Sequence, residues 1–187
     1  MTQLAEIFSI LGVNFALCMA AFTLLWLLGM AIKDVTFVDA FWGIGMALVA
    51  LATFLQVETH GTRQWLLLGL AGVWGLRLGA HILLRWRSHG PDRRYVRMME
   101  KAQEKRGWSF GYASLRMVFI FQAPLLWTVC LPVQLGQIPA EPTQIGALGL
   151  AGAALAVFGI LFETTGDIQL TRFKADPANA GKVLNTG

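Results

Sequence analysis

The sequence predicts an all-α polytopic membrane helix bundle with about five transmembrane helices, and three observations carry that prediction. The chain of 187 residues is 56% hydrophobic and only 14% charged, which leaves too few polar residues to coat a soluble domain. Its apolar residues gather into five runs, each near the ~20 residues that cross ~30 Å of hydrocarbon. Its Lys and Arg residues gather in alternate connections between those runs, the asymmetry by which basic loops are retained on the cytoplasmic side.

The first span, 7–32, contains no charged residue. No basic stretch precedes it, so it reads as a retained helix rather than a cleaved leader. Lys33 and Asp34 make a short turn into the second span, 35–57, which carries Asp39 about one turn inside. The third span, 65–84, holds Arg77 and His81. The stretch 85–107, RWRSHGPDRRYVRMMEKAQEKRG, follows and contains eight of the fifteen Lys and Arg residues. It reads as a basic cytoplasmic loop and orients everything around it. The fourth span, 112–135, has Arg116 near its start and Pro124 inside it, where a kink is expected. The connection GQIPAEPTQ has no cation, and the fifth span, 145–163, leads into a polar tail, 168–187.

Alternating sides gives twelve Lys and Arg residues to one face and Arg63 alone to the other. Adding or removing one helix would split the basic loop from the basic tail, so the five-span count is self-consistent. The N-terminus is expected outside and the C-terminus in the cytoplasm, with residues 1–187 forming a single multi-pass membrane domain, in a bacterial inner membrane. The bilayer is the expected partner, and the net charge of +4 reports loop asymmetry rather than nucleic-acid binding. Cys18 and Cys130 both fall within spans, and no metal-ligand spacing occurs.

Placed by depth at ~1.5 Å per helical residue, the ionisable groups of the spans gather at one level. Asp39, Arg77, His81, Arg116, Glu163 and Asp167 all fall in the half expected to face the cytoplasm. Charge inside a membrane normally faces the bundle interior, a wet cavity or a partner, so a polar cavity open to the cytoplasm is expected. Each group also has a plainer reading. Arg77 pairs with Asp39 or Glu163 for architectural reasons, His81 is a satisfied interior histidine, and Arg116 snorkels to the interface. In ETTGDIQLTRFK, Glu163 and Asp167 stack four apart, and Arg172 and Lys174 follow. Carboxylates accept hydrogen bonds from sugar hydroxyls and cations neutralise phosphates, so this order suits a nucleotide or an ordinary membrane-exit segment.

Several short matches together resemble one family. They are Val38-Asp39 with Trp42-Gly43, Arg77-Leu78, Pro91-Asp92 with Arg94-Tyr95 and Met98, Gln122 with Pro124, and Glu163 with Asp167 and Gln169. The chain resembles the steroid 5-alpha-reductase-like membrane enzymes, and most fully an uncharacterised bacterial branch of them, a domain of unknown function. The resemblance implies a seven-span enzyme that uses NADPH to reduce a carbon–carbon double bond conjugated to a carbonyl in a lipid-like or steroid-like substrate. It places Asp167 at a cofactor-binding aspartate, Glu163 where the steroid reductases carry asparagine, and Lys174 where they carry arginine. Their substrate tyrosine follows a histidine that matches His81, but Ile82 stands in that place here. The family continues into an Arg-His-Pro motif and two further helices beyond the segment that matches 182–187, so the chain is expected to be an N-terminal fragment.

The first reading is therefore a membrane oxidoreductase. His81, Arg77, Tyr95 and Asp39 are its catalytic candidates, and Glu163, Asp167, Arg172, Lys174 and Arg116 its cofactor-binding candidates. The alternatives are a membrane methyltransferase of the isoprenylcysteine type using S-adenosylmethionine, and a non-catalytic scaffold or small transporter.

Overall fold

The helices end where a breaker stands rather than where the apolar residues run out. In a computed structural model, which describes residues 3–139 and 144–185, the secondary structure of the described residues is helical throughout. Helix α1 spans Gln3–Ile32, α2 Val38–Gln56 and α3 Thr62–His89. Nothing in Arg85-Trp86-Arg87 stops a helix, so α3 continues past its apolar part until Gly90, with φ of 73°, and Pro91 end it. Five helical stretches among the described residues are long and apolar enough to cross a membrane, as the sequence predicts.

Most of the stretch read as a basic loop is helical. Helix α4, Arg93–Arg106, is capped by Asp92, which accepts from the Arg94 amide, and by Gly107 in the left-handed region. Its buried face is formed by Met99 and Ala102, with Tyr95 and Met98 half-buried beside them, while Arg93, Arg97, Lys101 and Lys105 are exposed. That three-four spacing is the signature of an amphipathic helix lying on a core.

The fourth crossing, Phe110–Val129, is built in three parts: α5 over Phe110–Ser114, one π turn over Leu115–Phe119, and α6 over Ile120–Val129. Pro124 lies inside α6, where its ring removes one backbone donor. The crossing stops earlier than the predicted 135 because Pro132 opens a separate helix, α7, Leu131–Gln137. The cation-free connection GQIPAEPTQ lies partly outside the described residues.

The chain forms two units, Met1–Gln144 and Ile145–Gly187. The second consists of α8, Ala147–Ala175, and one 3-10 turn, Pro177–Asn179. Helix α8 outruns the predicted end at 163 because the next strong stop is Asp176-Pro177.

Within the first unit, α2 and α3 approach most closely at glycines. A Cβ on Gly43 would collide with the Gly75 carbonyl oxygen, and one on Gly75 with that of Gly43, while Gly79 backs onto Ile44 and the Ala40 carbonyl. Small residues let two membrane helices touch backbone to backbone. The core beside this seam contains Phe22, Val38, Val118, Phe119, Ala123 and Leu126.

Away from the basic face, buried amides tie the helices together. Asn14 Nδ2 donates to Thr53 Oγ1 at 2.8 Å and to Gln134 Oε1 at 2.9 Å, and Gln56 Nε2 donates to Asn14 Oδ1 at 2.8 Å. Three helices, α1, α2 and α7, thus share one side chain. Replacing Asn14 with leucine leaves several buried groups unanswered at once and is expected to cost about 2 kcal/mol, measured by unfolding in detergent.

Candidate functional site

Asp39 sits in the first turn of α2, where the helix dipole favours a carboxylate. The turn before it is set by Asp34, whose Oδ1 accepts from the Thr36 amide and hydroxyl, both at 2.8 Å. Its other oxygen, Oδ2, accepts from the Trp86 indole at 2.8 Å, which ties the far end of α3 to the start of α2. Helix α4 then folds over this corner and brings Tyr95 onto Asp39, with Oη donating to Oδ1 at 2.7 Å. Arg94 approaches the other Asp39 oxygen at 3.9 Å and pairs more closely with Asp92, at 2.8 Å.

Gln122, from α6, closes the site. Its Oε1 accepts from the Trp42 indole at 2.9 Å, and its amide also interacts with the Tyr95 hydroxyl. Burial, and then the Asp39 carboxylate, push the Tyr95 phenol well above its ordinary pKa, so it holds its proton throughout the physiological range. A cleft of about 220 Å³ runs along the same corner, bordered by Lys33, Thr36, Pro91, Tyr95, Met99 and Glu100. An apolar groove of about 310 Å³ lies elsewhere in the bundle, lined by Leu17, Phe41, Leu48, Leu55 and Leu126.

Arg77 and His81 each lie two residues past a seam glycine, and at ~100° per residue this turns them to the side of α3 away from α2. Both are half-buried there. Arg116 is exposed in the π turn, with its guanidinium 5.8 Å from the centre of the Trp108 ring. Of the catalytic candidates, Asp39 and Tyr95 are the pair in described contact.

The remaining candidates belong to the second unit, on α8. Glu163 and Asp167 are half-buried, and by helical spacing Lys174 shares their stripe while Arg172 points the opposite way. That stripe fits a nucleotide's sugar, through the two carboxylates, and one phosphate, through Lys174; Arg172 is not part of it. No group of three or more potential metal ligands occurs among the described residues.

The chain matches the family described as "Protein of unknown function (DUF1295)" over residues 25–187. It belongs to that family. No curated protein and no solved structure matches the chain. In this DUF1295 member, sequence reasoning named Trp42 and Gln122 within the resemblance but gave them no role beside Asp39, although a glutamine inside an apolar run is itself a signal of function or helix contact.

The cap that positions Tyr95 is sensitive to acid. Hydrogen bonds from the Arg94 side chain and amide lower the Asp92 carboxyl to about 2. A carboxyl lowered on folding adds stability that is complete above its unfolded value of ~3.9 and lost as pH falls through the folded value. An NMR titration should therefore place the Asp92 midpoint near 2, with the start of α4 fraying over the same interval.

Proposed function

We propose that this protein is an integral membrane reductase of the steroid 5-alpha-reductase type, which uses NADPH to reduce an enone or related double bond in a lipid-like substrate. The hydrogen bond between Tyr95 and Asp39 carries this reading. Adding hydride to the β-carbon of an enone leaves negative charge on the carbonyl oxygen, and a preorganised donor at that oxygen lowers the barrier. Tyr95 is such a donor: a protonated phenol, half-buried, held by a carboxylate on one side and an amide on the other. When substrate binds, the phenol hydrogen turns from Asp39 Oδ1 to the substrate oxygen, and the partly exposed carboxylate takes a hydrogen bond from water in its place, with Arg94 as its counter-charge. The α-carbon then takes a proton from water, which completes the saturated product.

NADPH, when bound, supplies the hydride. Glu163, Asp167 and Lys174 are the residues proposed to hold it, through its sugar hydroxyls and a phosphate. The apolar groove of about 310 Å³ suits a hydrocarbon tail arriving from the bilayer. In this reading the cation-rich face is cytoplasmic, where NADPH is supplied.

The test is NADPH binding and oxidation by the purified protein with an enone-bearing lipid. Saturable NADPH binding and loss of the enone absorbance are expected. If the protein binds no NADPH, or binds S-adenosylmethionine in its place, the reductase reading is wrong.

A further inference from the structure

Every cation–π contact described in this protein involves the connector that leads from α4 into the fourth crossing. The Arg106 guanidinium lies 4.8 Å from the centre of the Trp108 ring, Arg116 lies 5.8 Å from that same ring, and Lys33 Nζ lies 5.5 Å from Phe110. Trp108 also meets Tyr112 edge-on at 4.9 Å. These cations come from the end of α1, the end of α4 and the π turn, so three separate elements converge on one short segment.

The depth of that segment follows from its neighbours. Lys33 directly follows the first crossing, and Phe110 opens the fourth. Trp and Tyr are enriched at this level because an amphipathic ring suits the boundary between hydrocarbon and headgroups. Arg106 and Arg116 are both exposed. Among the described residues, neither of the two stacked arginines is paired with a carboxylate. Glu100 borders the adjoining cleft together with Lys33 and Phe110. Exposed positive charge runs along α4 through Arg93, Arg97, Lys101 and Lys105, and at its end two guanidinium groups share one indole. Two exposed arginines held beside one indole present guanidinium N–H donors for an anion. Guanidinium forks match phosphate oxygens in geometry, and the phosphates available at this depth are those of lipid headgroups.

We propose that Arg106 and Arg116, mounted on Trp108, bind the phosphate of an anionic lipid headgroup on the cation-rich face. The site assigns Arg116, a cofactor-binding candidate by sequence, to a lipid instead, and shares no residue with Tyr95, Asp39 or the α8 groups proposed to hold NADPH. It anchors α4, and with it the corner that carries Tyr95, to the membrane surface.

The test is native mass spectrometry of protein released from mixed phosphatidylcholine and phosphatidylglycerol bilayers. The wild-type chain is expected to retain phosphatidylglycerol preferentially. Arg106→Gln with Arg116→Gln should lower that preference roughly 30-fold, from ~1 kcal/mol for each of two hydrogen bonds lost to the phosphate. Arg97→Gln with Lys101→Gln removes the same charge from the exposed face of α4 and should leave the preference in place. Equal losses in the two double variants, or no loss in the first, would overturn the site. Pyrophosphate added before release should not displace the lipid; displacement would make the ligand a soluble phosphate and overturn the lipid assignment.

Discussion

Replacing Tyr95 with phenylalanine is expected to lower turnover of an enone lipid by ~10²–10⁴-fold while leaving KM nearly unchanged. The hydroxyl acts on charge that appears only as hydride is delivered, so its loss belongs to kcat rather than to substrate affinity. The fold should tolerate the change. Tyr95 packs through its ring beside Met98 and Met99, and Asp39, still 25% exposed, keeps Arg94 at 3.9 Å and access to water. Asp39→Asn preserves the shape and removes the charge that holds the Tyr95 hydroxyl in place, so it should fall between wild type and Tyr95→Phe. An unaltered kcat in Tyr95→Phe would remove the phenol from the mechanism, whatever cofactor the protein is found to use.

Much of this architecture is legible in the sequence, because composition and charge asymmetry are one-dimensional signals. Five apolar runs became five candidate crossings, and Lys33 and the basic stretch fall at the same corner of the first unit, tied there by the bond between Trp86 and Asp34. Helix ends were read less well, since apolar character reports where lipid stops and not where the backbone does; α3 and α8 both continue to a proline-containing stop. The site was legible in part. Asp39 and Tyr95 could each be named, yet they lie 56 residues apart, and nothing in periodicity says that α4 folds back over the start of α2. Depth along a helix follows from counting residues, but the direction a side chain faces depends on which stripe its helix uses for packing. On α3 the stripe against α2 is marked by Gly75 and Gly79, one turn apart.

Those glycines set the second large effect. Gly75→Val is expected to destabilise the protein by about 3 kcal/mol, because the new side chain meets the Gly43 carbonyl oxygen rather than a flexible neighbour. A side-chain tip can rotate aside, but a backbone carbonyl moves only if its helix moves. Displacing α2 from α3 would also carry Asp39 away from Tyr95, so activity should fall in parallel with stability. Gly69→Val supplies the comparison: the same helix and the same substitution, at an exposed position where a Cβ meets nothing within 4 Å. It is expected to change stability by no more than about 0.5 kcal/mol. Unfolding of both variants in detergent, followed by circular dichroism, separates the outcomes. Equal stabilities would mean that α2 and α3 are not held in backbone contact, and the position of Asp39 would then need another cause.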